Sequence, residues 1–78
     1  GEINSHVSRD PQSILAAIRE HYRDGRLTEL DGVSIAFDDW WFNVRCSNTE
    51  PLVRLNLEAR TPDLMAAKRD EVLACIRA

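Results

Sequence analysis

The chain has 78 residues, of which 13 are acidic and 10 are basic, and 44% of its residues are apolar. At this size folding buries only roughly 60% of the surface that the unfolded chain exposes, so we expect one domain with a modest core and no interdomain cleft. A net charge of −3 argues against nucleic-acid or anionic membrane partners, because proteins that bind them usually carry a net positive patch.

The ends and the cysteines of the chain indicate a soluble intracellular module. The longest apolar stretches, 14–18 and 72–76, are five residues each, far below the roughly 20 needed to span a bilayer. Because the chain opens with Gly-Glu-Ile-Asn, without a starting Met or a signal peptide, we expect residues 1–78 to be excised from a longer polypeptide. Cys46 and Cys75 form no Cys-x-x-Cys pair, so the sequence favours a reducing compartment over a zinc site or a disulfide framework.

Two segments are predicted to be helices, because each has a capping residue followed by a proline. The first, residues 10–25, begins with Asp10 and Pro11 and stops at Gly25. The second begins with Thr61 and Pro62 and runs to the chain end. The predicted buried stripes are Ile14, Leu15, Ile18 and Tyr22 in the first helix, and Leu64, Met65, Val72, Cys75 and Ile76 in the second. Met65 is thus predicted to be a core residue and not a ligand.

Between the helices the apolar period changes from 3.6 to 2, which predicts β-strands. Alternation over 33–38 and 40–45, joined by an Asp-Asp turn, predicts a hairpin, and 52–59 predicts a third antiparallel strand. Weaker alternation over 2–7 predicts another strand before the first helix. The order strand, helix, three strands, helix predicts an α+β fold in which both helices cover one face of a four-stranded antiparallel sheet.

The uncovered face of this sheet is predicted to be polar, with one large aromatic side chain, Trp41. Its residues are Glu2, Asn4, His6, Ser34, Trp41, Asn43, Arg45, Arg54, Asn56 and Glu58. A plain solvated face and a surface that docks against a neighbouring domain both fit this composition.

Residues 45–51, Arg-Cys-Ser-Asn-Thr-Glu-Pro, form the strongest candidate site. Hydroxyls, an amide and free backbone N–H groups follow a strand that ends in an arginine, a combination that selects an oxyanion. Arg45 would add charge-assisted hydrogen bonds that match phosphate, and Glu50 would orient an arginine or accept hydrogen bonds within the loop. The same residues also fit an ordinary β-turn connection, so both interpretations stay open at this point.

Other reactive side chains carry weaker signals. Cys46 lies in an electropositive setting that would lower the pKa of its thiol, but no histidine is near it in sequence to act as a base, so a nucleophilic role is not favoured. His6 and His21 are isolated from other ligand types, and neither is predicted to bind a metal.

Several of these segments together closely resemble the C-terminal domain of the α-D-phosphohexomutase family, above all the bacterial phosphomannomutases and phosphomannomutase/phosphoglucomutases. The matching segments are Asp-Gly-Val at 31–33, the strand at 40–44, the string at 45–51, Arg54 and Glu-Ala at 58–59, and residues 1–4 are similar to the segment that often opens this domain. The resemblance covers nearly the whole chain, and Arg-x-Ser-Asn-Thr-Glu-Pro is a specific string.

The resemblance implies that catalysis takes place on other domains of the parent protein. Family members have four domains around a cleft and interconvert sugar 1- and 6-phosphates through a bisphosphate, using a phosphoserine and Mg²⁺ held by earlier domains. It implies a cytoplasmic phosphomannomutase parent that converts mannose 6-phosphate and mannose 1-phosphate, while this fragment is inactive alone and binds no cofactor or metal. Its partners would be the phosphosugar and the other domains of the same chain, with no nucleic acid and no membrane.

The resemblance also implies a fold and site residues. The fold would be like that of the TATA-box-binding protein. The ligands of the non-reacting substrate phosphate would be Arg45, Ser47, Asn48 and Thr49, with Glu50 and Arg54 in supporting roles. Two alternatives are a phosphoglucomutase or other phosphohexomutase parent, and a free-standing module that binds a small anion for regulation.

Overall fold

A computed structural model describes residues 2–78 as two helices and one sheet. The elements in chain order are β1 (Glu2–His6), α1 (Pro11–His21), β2 (Arg26–Thr28), β3 (Val33–Ala36), β4 (Trp40–Cys46), β5 (Leu52–Ala59) and α2 (Pro62–Ile76). Gly1, the first residue of the predicted domain and of the family-like opening segment, lies outside the described residues. Within residues 2–78, neither helix combines the length and the apolar character that a membrane crossing requires.

The sheet is antiparallel throughout, with strand order β1-β5-β4-β3-β2. The α+β class and the four predicted strands are confirmed, but the predicted total of four is wrong because β2 adds a fifth. Strand β2 has only three residues, all exposed, so it carries no period-2 signal. It forms because the chain returns from α1 alongside β3, where Arg26 pairs with Ala36.

Helix α1 begins at Pro11, as predicted, but ends at His21 and not at Gly25. The chain leaves the helix at Tyr22, and the Gly25 N–H donates to the Tyr22 carbonyl oxygen at 3.0 Å in the turn that follows. Gly25 does not end the helix, but the turn that follows α1 requires a glycine at this position. A Cβ at this position would collide with the side chain of Ile35 on β3, so the turn can pack against the sheet only with glycine there.

Both helices pack on one face of the sheet and enclose a single core. The predicted stripe of α1 is confirmed, because all four of its residues are buried. In α2 the buried residues are Val72 and Ile76, with Leu64 and Cys75 partly buried. The prediction for Met65 is wrong, since its side chain is 40% exposed. Consecutive helix residues point about 100° apart, so Leu64 takes the inward position and Met65 is turned to the side.

An aromatic cluster closes one end of the core and joins the two helices. Tyr22, which directly follows α1, meets Trp40 and Phe42 edge-on, with ring centroids 5.7 and 5.0 Å apart, and is only 5% exposed. Its hydroxyl donates to Glu71 Oε2 on α2 at 2.8 Å. Burial, reinforced by this hydrogen bond and by the charge of Glu71, raises the pKa of Tyr22 well above its usual range.

The raised pKa of Tyr22 predicts a loss of stability in base. A group with a raised pKa in the folded state stabilises the fold fully below its unfolded pKa, about 10 for tyrosine, and loses that contribution as the pH rises further. Urea denaturation from pH 7 to pH 11 should therefore show a falling free energy of unfolding, with Tyr22 contributing up to about 1.4 kcal/mol per pH unit above pH 10.

The variant Tyr22→Phe isolates this contribution. It should cost about 1 kcal/mol at pH 7, through the lost hydrogen bond, and should lose less stability than the unmodified chain above pH 10. Burial also raises the pKa of Cys46 and of Cys75, so some pH dependence of the same sign should remain in the variant. Parallel pH profiles for the two chains would contradict the assignment to Tyr22.

Candidate functional site

The candidate site lies where β4 and β5 are connected, at residues 47–51. The Ser47 N–H donates to the Leu52 carbonyl at 2.9 Å, and the Leu52 N–H donates to the Glu50 carbonyl at 2.7 Å. A further hydrogen bond, from the Val7 N–H to the Pro51 carbonyl at 2.9 Å, ties the connection to the segment after β1. The loop is thus anchored at both ends.

At the tip of this loop several donor groups belong to exposed residues. The Ser47 hydroxyl oxygen accepts the Thr49 N–H at 3.3 Å and turns the chain so that Asn48 and Thr49 are exposed. No hydrogen bond formed within residues 2–78 uses the N–H of Asn48 or Glu50. An amide, a hydroxyl and two backbone donors are therefore available to a ligand at the loop tip.

A concavity of ≈ 680 Å³ brings the predicted phosphate ligands together. Its lining residues are Gln12, Leu15, Asp31, Gly32, Arg45, Cys46, Ser47, Asn48, Thr49 and Arg54. All four predicted ligands and the supporting Arg54 are in this set, and Glu50 is not. Gln12 and Asp31 were missed from the sequence. The only local signal for Asp31 is the Asp-Gly pair before a strand, which predicts a tight turn but not where the turn lies.

Arg45 and Arg54 are directly opposite each other in the β4–β5 pairing, on the uncovered face. Like charges in this position repel. Glu2 on β1 reaches both guanidinium groups, with Oε2 at 3.3 Å from Arg45 Nη2 and Oε1 at 3.7 Å from Arg54 Nη1. Asp31 Oδ2 lies 3.3 Å from Arg45 Nη1. The formal charges of these four side chains sum to zero.

Glu50 does not take part in this cluster. Its side chain is exposed and makes no ion pair within residues 2–78, and its backbone carbonyl is the group that accepts the Leu52 N–H. Its supporting role stays a prediction. The carboxylates that contact Arg45 are those of Glu2 and Asp31.

Cys46 differs from the prediction, because the pKa of its thiol is raised and not lowered. Burial is the main cause, and the carboxylate of Asp10 adds to it. Side chains alternate along a strand, so Cys46 points away from the face that carries Arg45 and packs against the core. A neutral thiol in this position is a poor nucleophile. The geometry therefore does not support a nucleophilic role for Cys46.

The part of the chain that the structure describes contains no cluster of three or more His, Cys, Asp or Glu side chains that would hold a metal ion. His6 is exposed on β1, and His21 is exposed at the end of α1 with its ring edge-on to Tyr22. The described residues do not fit a Mg²⁺ site, because several carboxylate oxygens would have to converge on the ion and no such cluster is present among them.

Trp41 lies on the uncovered face beside a second concavity of ≈ 530 Å³, which shares Asp31 and Arg45 with the first. Its side chain is 41% exposed, and its pairing partners are Ala36 and Glu58. The placement of Trp41 on this face is confirmed. Docking of this face against a neighbouring domain stays a prediction.

Comparison with known proteins gives the chain a family context. A sequence profile described as "Phosphoglucomutase/phosphomannomutase, C-terminal domain" matches residues 2–74. A phosphomannomutase of Methanocaldococcus jannaschii is 51% identical over 72 residues, which is 92% of this chain and 16% of that protein. A phosphomannomutase of Escherichia coli is 44% identical over 80 residues, covering 99% of this chain and 17% of that protein.

Further matches agree in both sequence and fold. A protein of Xanthomonas campestris pv. campestris named "Phosphohexose mutases" is 48% identical over 62 residues, 77% of this chain and 14% of that protein. The crystal structure of a phosphoglucomutase/phosphomannomutase family protein from Burkholderia thailandensis superposes with a TM-score of 0.68 at 23% identity, covering 97% of this chain and 16% of that one. The chain thus spans about a sixth of the length of the relatives it matches.

Proposed function

The chain belongs to the phosphoglucomutase/phosphomannomutase family, in which it corresponds to the C-terminal domain, and we propose that its β4–β5 loop binds the non-reacting phosphate of a phosphorylated hexose. One observation carries this proposal: Arg45, Ser47, Asn48 and Thr49 line the same concavity, and Asn48 and Thr49 at the loop tip are exposed. Guanidinium, hydroxyl and amide donors suit the tetrahedral oxygens of phosphate.

The kind of donor explains how one loop would serve both substrate and product. Backbone N–H groups, short hydroxyls and an amide bind an oxyanion without contacting a particular sugar hydroxyl. A hexose bisphosphate that turns round between two transfers could then present either of its phosphates to the same loop. Binding of the remote phosphate would orient the sugar and lower the barrier at the reacting end.

The proposed parent is a phosphomannomutase that interconverts mannose 6-phosphate and mannose 1-phosphate through a bisphosphate in the cytoplasm. Support comes from the relatives that carry this name and are 51% and 44% identical. Mg²⁺, when bound by a preceding domain, would supply charge neutralisation at the reacting phosphate. Residues 2–78 contain no metal-binding cluster and the Cys46 thiol is not activated. We propose that the fragment is inactive alone and that its partners are the phosphosugar and the other domains.

A wider phosphohexomutase specificity is a second candidate for the parent. It is favoured by the 48% identity with a protein named for phosphohexose mutases and by a family description that includes phosphoglucomutase. If the loop contacts the phosphate and not the sugar ring, as proposed, it would not distinguish glucose from mannose. A free-standing regulatory module has less support, since the relatives are about six times as long as this chain.

Loss of Arg45 should slow the parent enzyme. In the full-length polypeptide, Arg45→Ala removes a charge-assisted phosphate contact. It should lower kcat/KM for mannose 6-phosphate by roughly 30- to 900-fold, which corresponds to a loss of about 2 to 4 kcal/mol of transition-state stabilisation. Steady-state kinetics at constant ionic strength would measure this.

Arg19→Ala is a matched control for Arg45→Ala. The side chains of Arg19 and Arg45 are similarly exposed, at 36% and 39%, and each is ion-paired to a carboxylate. Arg19 lies on α1 and does not line the concavity, so its loss should change kcat/KM less than about 2-fold. Equal effects of the two substitutions would contradict the proposed role of Arg45.

Direct binding to the 78-residue chain provides an independent test. Titration with inorganic phosphate or mannose 6-phosphate should shift the backbone amides of residues 45–49 before any others, with a Kd of about 1 mM or weaker, corresponding to roughly 4 kcal/mol or less. Unphosphorylated mannose, at the same concentrations, should leave these amides unchanged. Shifts elsewhere with residues 45–49 silent would refute the site.

A further inference from the structure

The turn between β2 and β3 is built against the strand that carries Arg45. Gly32 has φ of 74°, in the left-handed region that favours glycine. A Cβ at Gly32 would collide with the Val44 carbonyl oxygen and with the side chain of Arg45. The close approach of this turn to β4 therefore depends on glycine, and it places Asp31 beside Arg45.

Asn43 on β4 holds the turn between β2 and β3 in position by hydrogen bonds. Its side-chain amide donates to the Asp31 carbonyl at 2.7 Å and to the Ser34 hydroxyl oxygen at 2.9 Å. Asn43 and Arg45 lie two residues apart on β4, so both side chains are on the uncovered face. One strand thus supplies both the arginine and the amide that holds the backbone next to it.

Carboxylates contact both terminal nitrogens of Arg45. Asp31 Oδ2 lies 3.3 Å from Nη1, and Glu2 Oε2 lies 3.3 Å from Nη2. A guanidinium has five N–H donors, so two such contacts leave three for a ligand. Glu2 also approaches Arg54, whose repulsion would otherwise push Arg45 aside.

We propose that Asp31 and Glu2 are positioning residues, which hold the Arg45 guanidinium at both ends in the orientation that phosphate requires. This inference rests on the proposed function of the loop. Ion pairs this exposed contribute little to stability, since the Asp31 side chain is 77% accessible. The contact between Asp31 and Arg45 is therefore better explained by the placement of the guanidinium than by the stability of the fold.

The direction of the change in phosphate affinity distinguishes a positioning role of Asp31 from a purely electrostatic one. A carboxylate near a phosphate repels it, so Asp31→Asn would strengthen phosphate binding if charge were its only contribution. A positioning role predicts the reverse, because an unheld arginine must be ordered when the ligand binds. For Glu2→Gln the same two outcomes apply: tighter phosphate binding if only charge matters, and weaker binding if Glu2 positions Arg45.

The test measures the Kd for inorganic phosphate on the 78-residue chain by NMR at constant ionic strength. Asp31→Asn and Glu2→Gln should each weaken binding by about 2- to 5-fold, the range expected when an exposed ion pair is lost. The Arg45 Nε–H resonance should broaden or exchange faster with water in each variant. Asp38→Asn is the matched control, because Asp38 is an exposed turn residue paired with Arg26 away from the concavity, and it should leave Kd unchanged.

A double-mutant cycle shows whether Asp31 acts through Arg45. In an Arg45→Ala background, Asp31→Asn should no longer weaken binding, whereas a general structural role would give the same loss in both backgrounds. Tighter binding by Asp31→Asn, or equal losses in the two backgrounds, would overturn the inference. Amide shifts in the two helices report on folding and should stay unchanged.

The same series separates failure of this inference from failure of the proposed function. If Arg45→Ala leaves the phosphate Kd unchanged, the loop is not the phosphate site and both proposals fall. If Arg45→Ala weakens binding while Asp31→Asn and Glu2→Gln do not, the proposed function stands and only the positioning role is wrong.

Discussion

Strands β4 and β5 pair so that Arg45 lies directly opposite Arg54 on the face that no helix covers. This pairing depends on the core beneath it, where Phe42 opposite Leu57 and Val44 opposite Leu55 fill the space under the helices. A slip of one residue would turn these side chains to water and drive an arginine into the apolar layer. The burial of apolar side chains therefore fixes the geometry of a polar site on the opposite face.

The two faces of the sheet divide the tasks of the domain. The covered face holds an apolar and aromatic core, and the uncovered face holds side chains that hydrogen-bond or carry charge. The loop lies at the end of the sheet, where both layers contribute, because Leu15 from the helix layer lines the same concavity as Arg45. A rigid base of this kind suits the anion-binding role that we propose for the loop.

The sequence was most informative where the pattern was local. Period-2 alternation predicted β4 and β5, and with them the face that carries Arg45, while Asp10 and Thr61 predicted the starts of the two helices. The edge strand β2 was missed because three exposed residues give no pattern. The sequence placed Glu2, Arg45 and Arg54 on one face but did not predict the ion pairs among them, because these depend on the pairing of β1 with β5, which local alternation does not reveal.

Strand β1 meets the site in two places, through Glu2 at its first residue and through the hydrogen bond from Val7 to the loop just beyond its last. It is also an edge strand, paired on one side only. Detachment of this edge would break the Glu2 contact to Arg45 and the Val7 hydrogen bond to the loop in the same event, while β2 and β3 at the far edge stayed paired. Hydrogen exchange at the two edges is thus expected to be uncoupled, with β1 and the end of the sheet that carries the β4–β5 loop opening as one cooperative unit.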